Sequence, residues 1–209
     1  MKIGIIGATG KSGSLILAEA VNRQHEVTAI VRNKEKLVNK TVPVLEKDLF
    51  DLETLDLIQF DVVVDAFNAP LDNPVLHETS LAHLTEILAD TKTRLVIVGG
   101  AGSLYLNSEH TLQLQDGADF PEAFKPIAKG MGQALNALRE VRNVDWLYIS
   151  PAAFFDAEGK KSGTYILAGE EFTVNKQNES YISYLDYAQA FMDQVETNKE
   201  NHVRISVRN

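Results

Sequence analysis

Ile3-Gly4-Ile5-Ile6-Gly7-Ala8-Thr9-Gly10-Lys11-Ser12-Gly13-Ser14-Leu15 joins a β-branched run to a stretch of helical periodicity, and the glycines at that junction restrict the chain more than any other feature. Gly7 permits a tight turn out of the strand. Gly10 leaves backbone without a Cβ where a ligand could approach, and Gly13 lets the helix pack closely on the sheet. Free N–H groups at the start of such a helix hold anions. The spacing G-x-x-G-x-x-G differs from the commoner G-x-G-x-x-G, so the strand before it and the helix after it carry the inference. Gly10-Lys11-Ser12 also matches the end of a triphosphate-binding loop, but that loop requires glycine where Ile5 stands.

The same alternation continues along the chain. Apolar runs at Lys2–Ile6, Val27–Val31, Val42–Leu45, Val62–Asp65, Leu95–Val98 and Trp146–Ile149 read as strands buried on both faces. Helical periodicity occupies Ser12–Asn22, Leu52–Ile58, Pro74–Asp90 and Pro126–Arg142, and more weakly Lys34–Asn39. The expected fold class is therefore α/β, a doubly wound parallel sheet. After Ser150 the rhythm becomes glycine-punctuated and hairpin-like around Tyr165–Leu167 and Glu171–Val174, followed by a helix at Tyr184–Glu196 and a strand at Val203–Val207. Residues 1–209 read as one domain, with 151–209 forming a small C-terminal cap on the substrate side.

The absence of cysteine excludes disulfides, cysteine-ligated zinc, iron–sulfur clusters and thiol catalysis. A net charge of -9 argues against a nucleic-acid partner. No run approaches the roughly 18 apolar residues of a membrane span, and Met1-Lys2-Ile3-Gly4 shows no signal-peptide pattern. The expectation is a cytoplasmic protein, monomeric by default. The histidines give no metal spacing: His77 and His83 fall on different sides of a helix and are expected to lie at its surface.

At the end of the second strand, an Asp or Glu would grip the ribose of NAD. The chain has Arg32-Asn33-Lys34 there instead. Arg32 with Lys34 would neutralise the 2′-phosphate of NADP, so NADP(H) is expected over NAD(H).

Gly7-Ala8-Thr9-Gly10-Lys11-Ser12-Gly13, Arg32, Lys47-Asp48-Leu49, Phe67-Asn68-Ala69-Pro70 and Val98-Gly99-Gly100-Ala101-Gly102-Ser103-Leu104 together resemble the atypical short-chain dehydrogenase/reductases. Within that group the chain is similar to NAD(P)H-binding candidate NADH-flavin reductases and biliverdin-IXβ reductases, and more distantly to the NmrA-like proteins. The resemblance implies an NAD(P)-binding Rossmann fold. It also implies that Gly7, Thr9, Gly10, Lys11, Ser12, Gly13 and Arg32 hold the cofactor, with Asp48 and Leu49 at the adenine. Phe67, Asn68, Ala69 and Pro70 would run beside ribose and phosphates, and Gly99, Pro151 and Phe154 would lie near the nicotinamide.

One family device is missing. Counting back from Lys129, the tyrosine of the Tyr-x-x-x-Lys pair is replaced by Lys125. Lys129 could still bind the nicotinamide ribose, Ser103 stands at the family's serine position, and Tyr105 is a candidate substitute acid. The stretch from Leu104 to Lys125 is long for a strand-to-helix connection and carries Tyr105, His110, Phe120 and Phe124, as a lid over a flat acceptor would. Two functions remain open. One is an NADPH-dependent reductase passing hydride to a flavin, tetrapyrrole or quinone; the other is a non-catalytic NADP(H) sensor acting through protein partners.

Overall fold

The computed structural model describes residues 1–197 and 199–209. Its elements follow in the order β1 (Lys2–Ile6), α1 (Lys11–Asn22), β2 (Glu26–Val31), β3 (Val44–Glu46), α2 (Thr54–Leu57), β4 (Val62–Asp65), α3 (Leu76–Ile87), β5 (Arg94–Val98) and α4 (Lys125–Leu138), then β6 (Trp146–Ser150), β7 (Phe154–Asp156), β8 (Ile166–Ala168), β9 (Tyr181–Ser183), α5 (Tyr184–Thr197) and β10 (Val203–Arg208).

The central sheet has the order β3-β2-β1-β4-β5-β6-β10-β8. All its pairings are parallel except β10 with β8. Apolar strands buried on both faces require a cover on each side. Helices α1 and α5 pack together over one core, around Ile5, Leu147 and Phe191, while α3 and α4 pair over a second, around Val63, Leu95 and Trp146. The fold is thus a doubly wound, Rossmann-like α/β sheet. Its winding reverses between β1 and β4, and the crevice beyond the carboxyl ends of those strands is where such sheets bind ligands.

Several local expectations change. The run at Val42–Leu45 becomes a three-residue edge strand with Val44 exposed, because nothing covers its outer side. Lys34–Asn39 shrinks to a single 3₁₀ turn, Lys34–Lys36, since its apolar positions are too few to bury a helical face. The expected hairpin does not form: β8 pairs with β10, Glu171 makes only an isolated bridge to Tyr105, and β7 pairs with β9 in a separate two-stranded sheet. After Ser150 the chain therefore supplies a main-sheet strand and a covering helix as well as this small sheet. Among the described residues no helix is long and apolar enough to cross a membrane.

Candidate functional site

The turn after β1 is closed by its own backbone: Gly7 N–H donates to Ile30 O at 3.2 Å, and Gly10 N–H to Gly7 O at 2.8 Å. Gly7 has φ +74°, and a Cβ on it would stand 2.5 Å from Ala66 O; one on Gly13 would stand 2.3 Å from Gly7 O. Neither position tolerates a side chain. Gly10 is different, because a Cβ there meets only Gly7 O, at 3.2 Å. Its missing side chain leaves room in front of the helix. The N–H groups of Lys11, Ser12 and Gly13 precede the first bond of α1, Ser14 N–H to Gly10 O at 2.9 Å, and no side chain caps them. Open space facing uncapped N–H donors fits a phosphate group.

On one side of this turn lies a cavity of about 390 Å³ whose walls include Gly7, Thr9, Gly10, Arg32, Asp48 and Leu49. The Arg32 guanidinium is exposed, with Nε 3.8 Å from Asp48 Oδ2. Asp48 also shapes the wall, since its Oδ1 accepts from Phe50 N–H at 3.0 Å. Lys34 is engaged elsewhere: its Nζ lies 3.3 Å from Glu46 Oε2, and its N–H donates to Glu46 Oε1 at 3.0 Å. Lys36, at the end of the 3₁₀ turn, faces the cavity in its place. Phe67, Asn68 and Pro70 line the same cavity, whereas Ala69 is buried, its N–H donating to His77 Nε2 at 3.4 Å.

His77 is thus not a surface residue. The inner face of α3 carries it into the protein, where burial lowers its pKa to about 4. Asp65, at the end of β4, is buried nearby; burial raises its pKa to about 6, against the opposing effect of Phe67 N–H, which donates to Oδ1 at 3.0 Å. Asp65, His77, Ser80 and Tyr148 surround a void of about 20 Å³, bordered also by Phe67 and Met131.

Beyond the ends of β5 and β6 is a second chamber of about 830 Å³, mostly apolar. Residues 100–103, the α4 residues Ile127, Ala128 and Met131, and the segment from Pro151 to Phe155 form three of its walls. The long 104–125 connection supplies Leu106, Leu114, Phe120 and Phe124. It is ordered by Leu114 N–H to Leu104 O and Leu106 N–H to Leu112 O, both 2.8 Å, and by Gln115 N–H to Gly102 O at 2.9 Å. Asp119, Ser103 and Tyr184 are the residues with polar side chains in the lining.

Some expected site residues lie off both cavities. Tyr105 stacks on His110 at 4.4 Å and exchanges backbone hydrogen bonds with the 170–172 segment, so it fastens the connection rather than facing the chamber. Lys129 is exposed on α4 and lines neither space, because Ile127, Ala128 and Met131 take the inward positions. Gly99 admits the Tyr148 ring, which would lie 2.2 Å from a Cβ on it. Lys11, Ser12 and Gly13 form the helix start itself.

Sequence reasoning missed the chamber's support. Arg204 is buried in β10 and donates through Nη2 to Ser103 O at 3.2 Å and through Nε to Glu170 Oε2 at 2.9 Å. Arg139 Nη2 meets the same carboxylate at 2.7 Å. Burial opposes ionisation of Glu170, but the two guanidiniums outweigh it and hold the carboxyl below its ordinary value. The signal available was a charged residue alternating with Val203, Ile205 and Val207, which demands a buried partner. Tyr184 had no such signal.

Residues 7–198 match a protein family described as NAD(P)H-binding. The uncharacterized protein YwnB of Bacillus subtilis is 46% identical over 208 residues, spanning 99% of this chain and 98% of its own. The crystal structure of SP1627 from Streptococcus pneumoniae, named as a candidate NADH-flavin reductase, superposes with a TM-score of 0.95 at 45% identity, covering 100% of this chain and 99% of its own. A structure from Lactobacillus casei gives a TM-score of 0.91 at 32% identity, covering 100% and 99%.

Proposed function

The chain belongs to the NAD(P)H-binding family, and on that premise we propose that it is an NADPH-dependent reductase of a flat acceptor such as a flavin, tetrapyrrole or quinone. One observation carries the reading: at the carboxyl ends of one parallel sheet lie a small cavity beside the glycine turn, bearing the cationic side chains Arg32, Lys36 and Lys47, and an apolar chamber walled by aromatic rings. The name of SP1627, whose structure covers this chain throughout, supports a flavin as one acceptor.

The glycine turn and the α1 N–H groups would hold the pyrophosphate, Arg32 and Lys36 the 2′-phosphate, and Asp48, Leu49 and Phe67 the adenosine. Pro151 and Phe154 would flank the nicotinamide, so that 151–209 provides the substrate-side wall. Bound NADPH would supply a hydride from nicotinamide C4. Phe120, Phe124, Phe154 and Phe155 offer planar faces for an acceptor. A conjugated acceptor that takes the hydride can draw its proton from water, so the chemistry does not depend on Tyr105 or Lys129 at the reacting atoms.

Steady-state oxidation of NADPH and NADH with FMN, riboflavin, biliverdin and a small quinone tests this reading. Saturable turnover with NADPH preferred is expected, and Arg32→Ala or Lys36→Ala should each raise the KM for NADPH about tenfold while leaving NADH nearly unchanged. The positions of Tyr105 and Lys129 off the chamber favour a second reading, a non-catalytic NADP(H) sensor. Tight NADPH binding with no turnover of any acceptor would select it.

A further inference from the structure

Tyr184 links the apolar chamber, which it lines, to the first turn of α1, where it meets Ser12. It is the first residue of α5, a helix that packs along α1. Its ring lines the chamber and meets Phe155 edge-on, with centroids 3.7 Å apart at 88°. Its hydroxyl faces the side chain of Ser12, in the first turn of α1. The start of α5 is firmly held: Ser183 Oγ donates to Asp186 Oδ2 at 2.9 Å and accepts from Asp186 N–H at 3.0 Å. Asp186 Oδ1 also accepts from Ser162 and Gly163 N–H at 3.0 and 2.8 Å. Ring and hydroxyl are therefore placed by packing, by the helix start and by the contact with Ser12.

A half-buried phenol usually finds an acceptor within the protein. Among the described residues this one meets the side chain of Ser12, itself a hydroxyl beside the uncapped N–H groups of α1. Two hydroxyls and a helix N-terminus converge there; whichever hydroxyl accepts from the other, one O–H and the uncapped N–H groups remain to donate to an anion. We propose that Tyr184 is a cofactor-binding residue whose O–H, together with Ser12, donates to the phosphate nearer the nicotinamide and directs the dinucleotide from the turn into the chamber. Burial raises the Tyr184 pKa, so the phenol keeps the proton it must donate. The inference rests on the nicotinamide-dinucleotide reading above and adds a residue to it.

Calorimetric titration of the full chain with NADP⁺ and with 2′,5′-ADP tests the proposal, since the second probe carries the 2′-phosphate and the adenosine-side phosphate but no nicotinamide half. Tyr184→Phe keeps the ring against Phe155 and should weaken NADP⁺ about tenfold or more while changing 2′,5′-ADP by less than about twofold. Ser12→Ala should weaken NADP⁺ in the same direction. Unchanged NADP⁺ binding in Tyr184→Phe would overturn the assignment, as would an equal loss for both probes. So would a Tyr184→Leu variant that weakens NADP⁺ where Tyr184→Phe does not, because the ring would then act by packing alone. Wild-type protein that binds neither probe would overturn the dinucleotide reading itself, which separates that failure from this one.

Discussion

The two cavities at the carboxyl ends of the sheet are built in opposite ways. The smaller one is made from residues that follow β1, β2, β3 and β4, so each wall is a short segment directly after a strand. The apolar chamber draws on the segment after β5, the 104–125 connection, α4, the segment after β6 and the first residue of α5, and it is braced by Arg204 of β10 through Ser103 O. In the first, backbone geometry at strand ends does most of the positioning. In the second, shape depends on side chains brought together from distant segments.

Gly10→Val should break the first region with the largest effect. A branched side chain in the phosphate approach should lower NADP⁺ affinity at least about 100-fold, by displacing two or more charge-assisted hydrogen bonds, while adding little strain because only Gly7 O is near. Binding of riboflavin to the chamber should be little changed. Calorimetry with both ligands checks this, and retained NADP⁺ binding would remove the turn from the site.

Arg204→Leu addresses the second region. It leaves Glu170 with Arg139 alone and removes the donor to Ser103 O, so about 3 kcal/mol of stability should be lost. Denaturant melts measure that loss. Titration of the still-folded fraction with 2′,5′-ADP should show the smaller cavity intact; a parallel loss there would mean that the two regions are not separable.

The Asp65–His77 pair lies between the regions, bordered by Phe67 of one and Met131 of the other. Asp65 moves from its ordinary 3.8 to about 6, so its stabilising contribution is present below pH 3.8 and is lost as pH rises through 6. His77 moves from 6.5 to about 4; its contribution is present above pH 6.5 and is lost as pH falls through 4. The opposing slopes, each about 3 kcal/mol in total, nearly cancel between pH 4 and 6. Asp65→Asn should therefore become less stable on acidification from pH 6.5 to 4, whereas His77→Gln should become more stable. Melts that follow wild type in both variants would show that neither group feels its burial.

Much of the fold was legible because local patterns carry it. Buried parallel strands are continuous apolar runs, and β1, β2, β4, β5 and β6 fall within a residue of the expected bounds. The paired glycine-rich segments were legible too, although for different reasons: Gly7 and Gly13 serve the turn, while Gly99 makes room for Tyr148. The C-terminal pairing was not legible, because a three-residue strand such as β8 carries too little pattern to show whether it will meet a hairpin partner or β10. Lys36 could not be told from Lys34, since the choice depends on Glu46 occupying Lys34 from a neighbouring strand.

The sequence by itself determined the α/β winding, the glycine turn after β1 and the absence of cysteine chemistry, since each depends on residue type within a few positions along the chain. Tertiary structure decided that His77 is buried, that Tyr105 fastens a connection and that Lys129 faces outward. It also brought Arg204 beneath Ser103 and Tyr184 against Ser12. Those relations join residues about 100 and 170 positions apart, and only packing of the finished sheet and helices can bring such groups within hydrogen-bonding range.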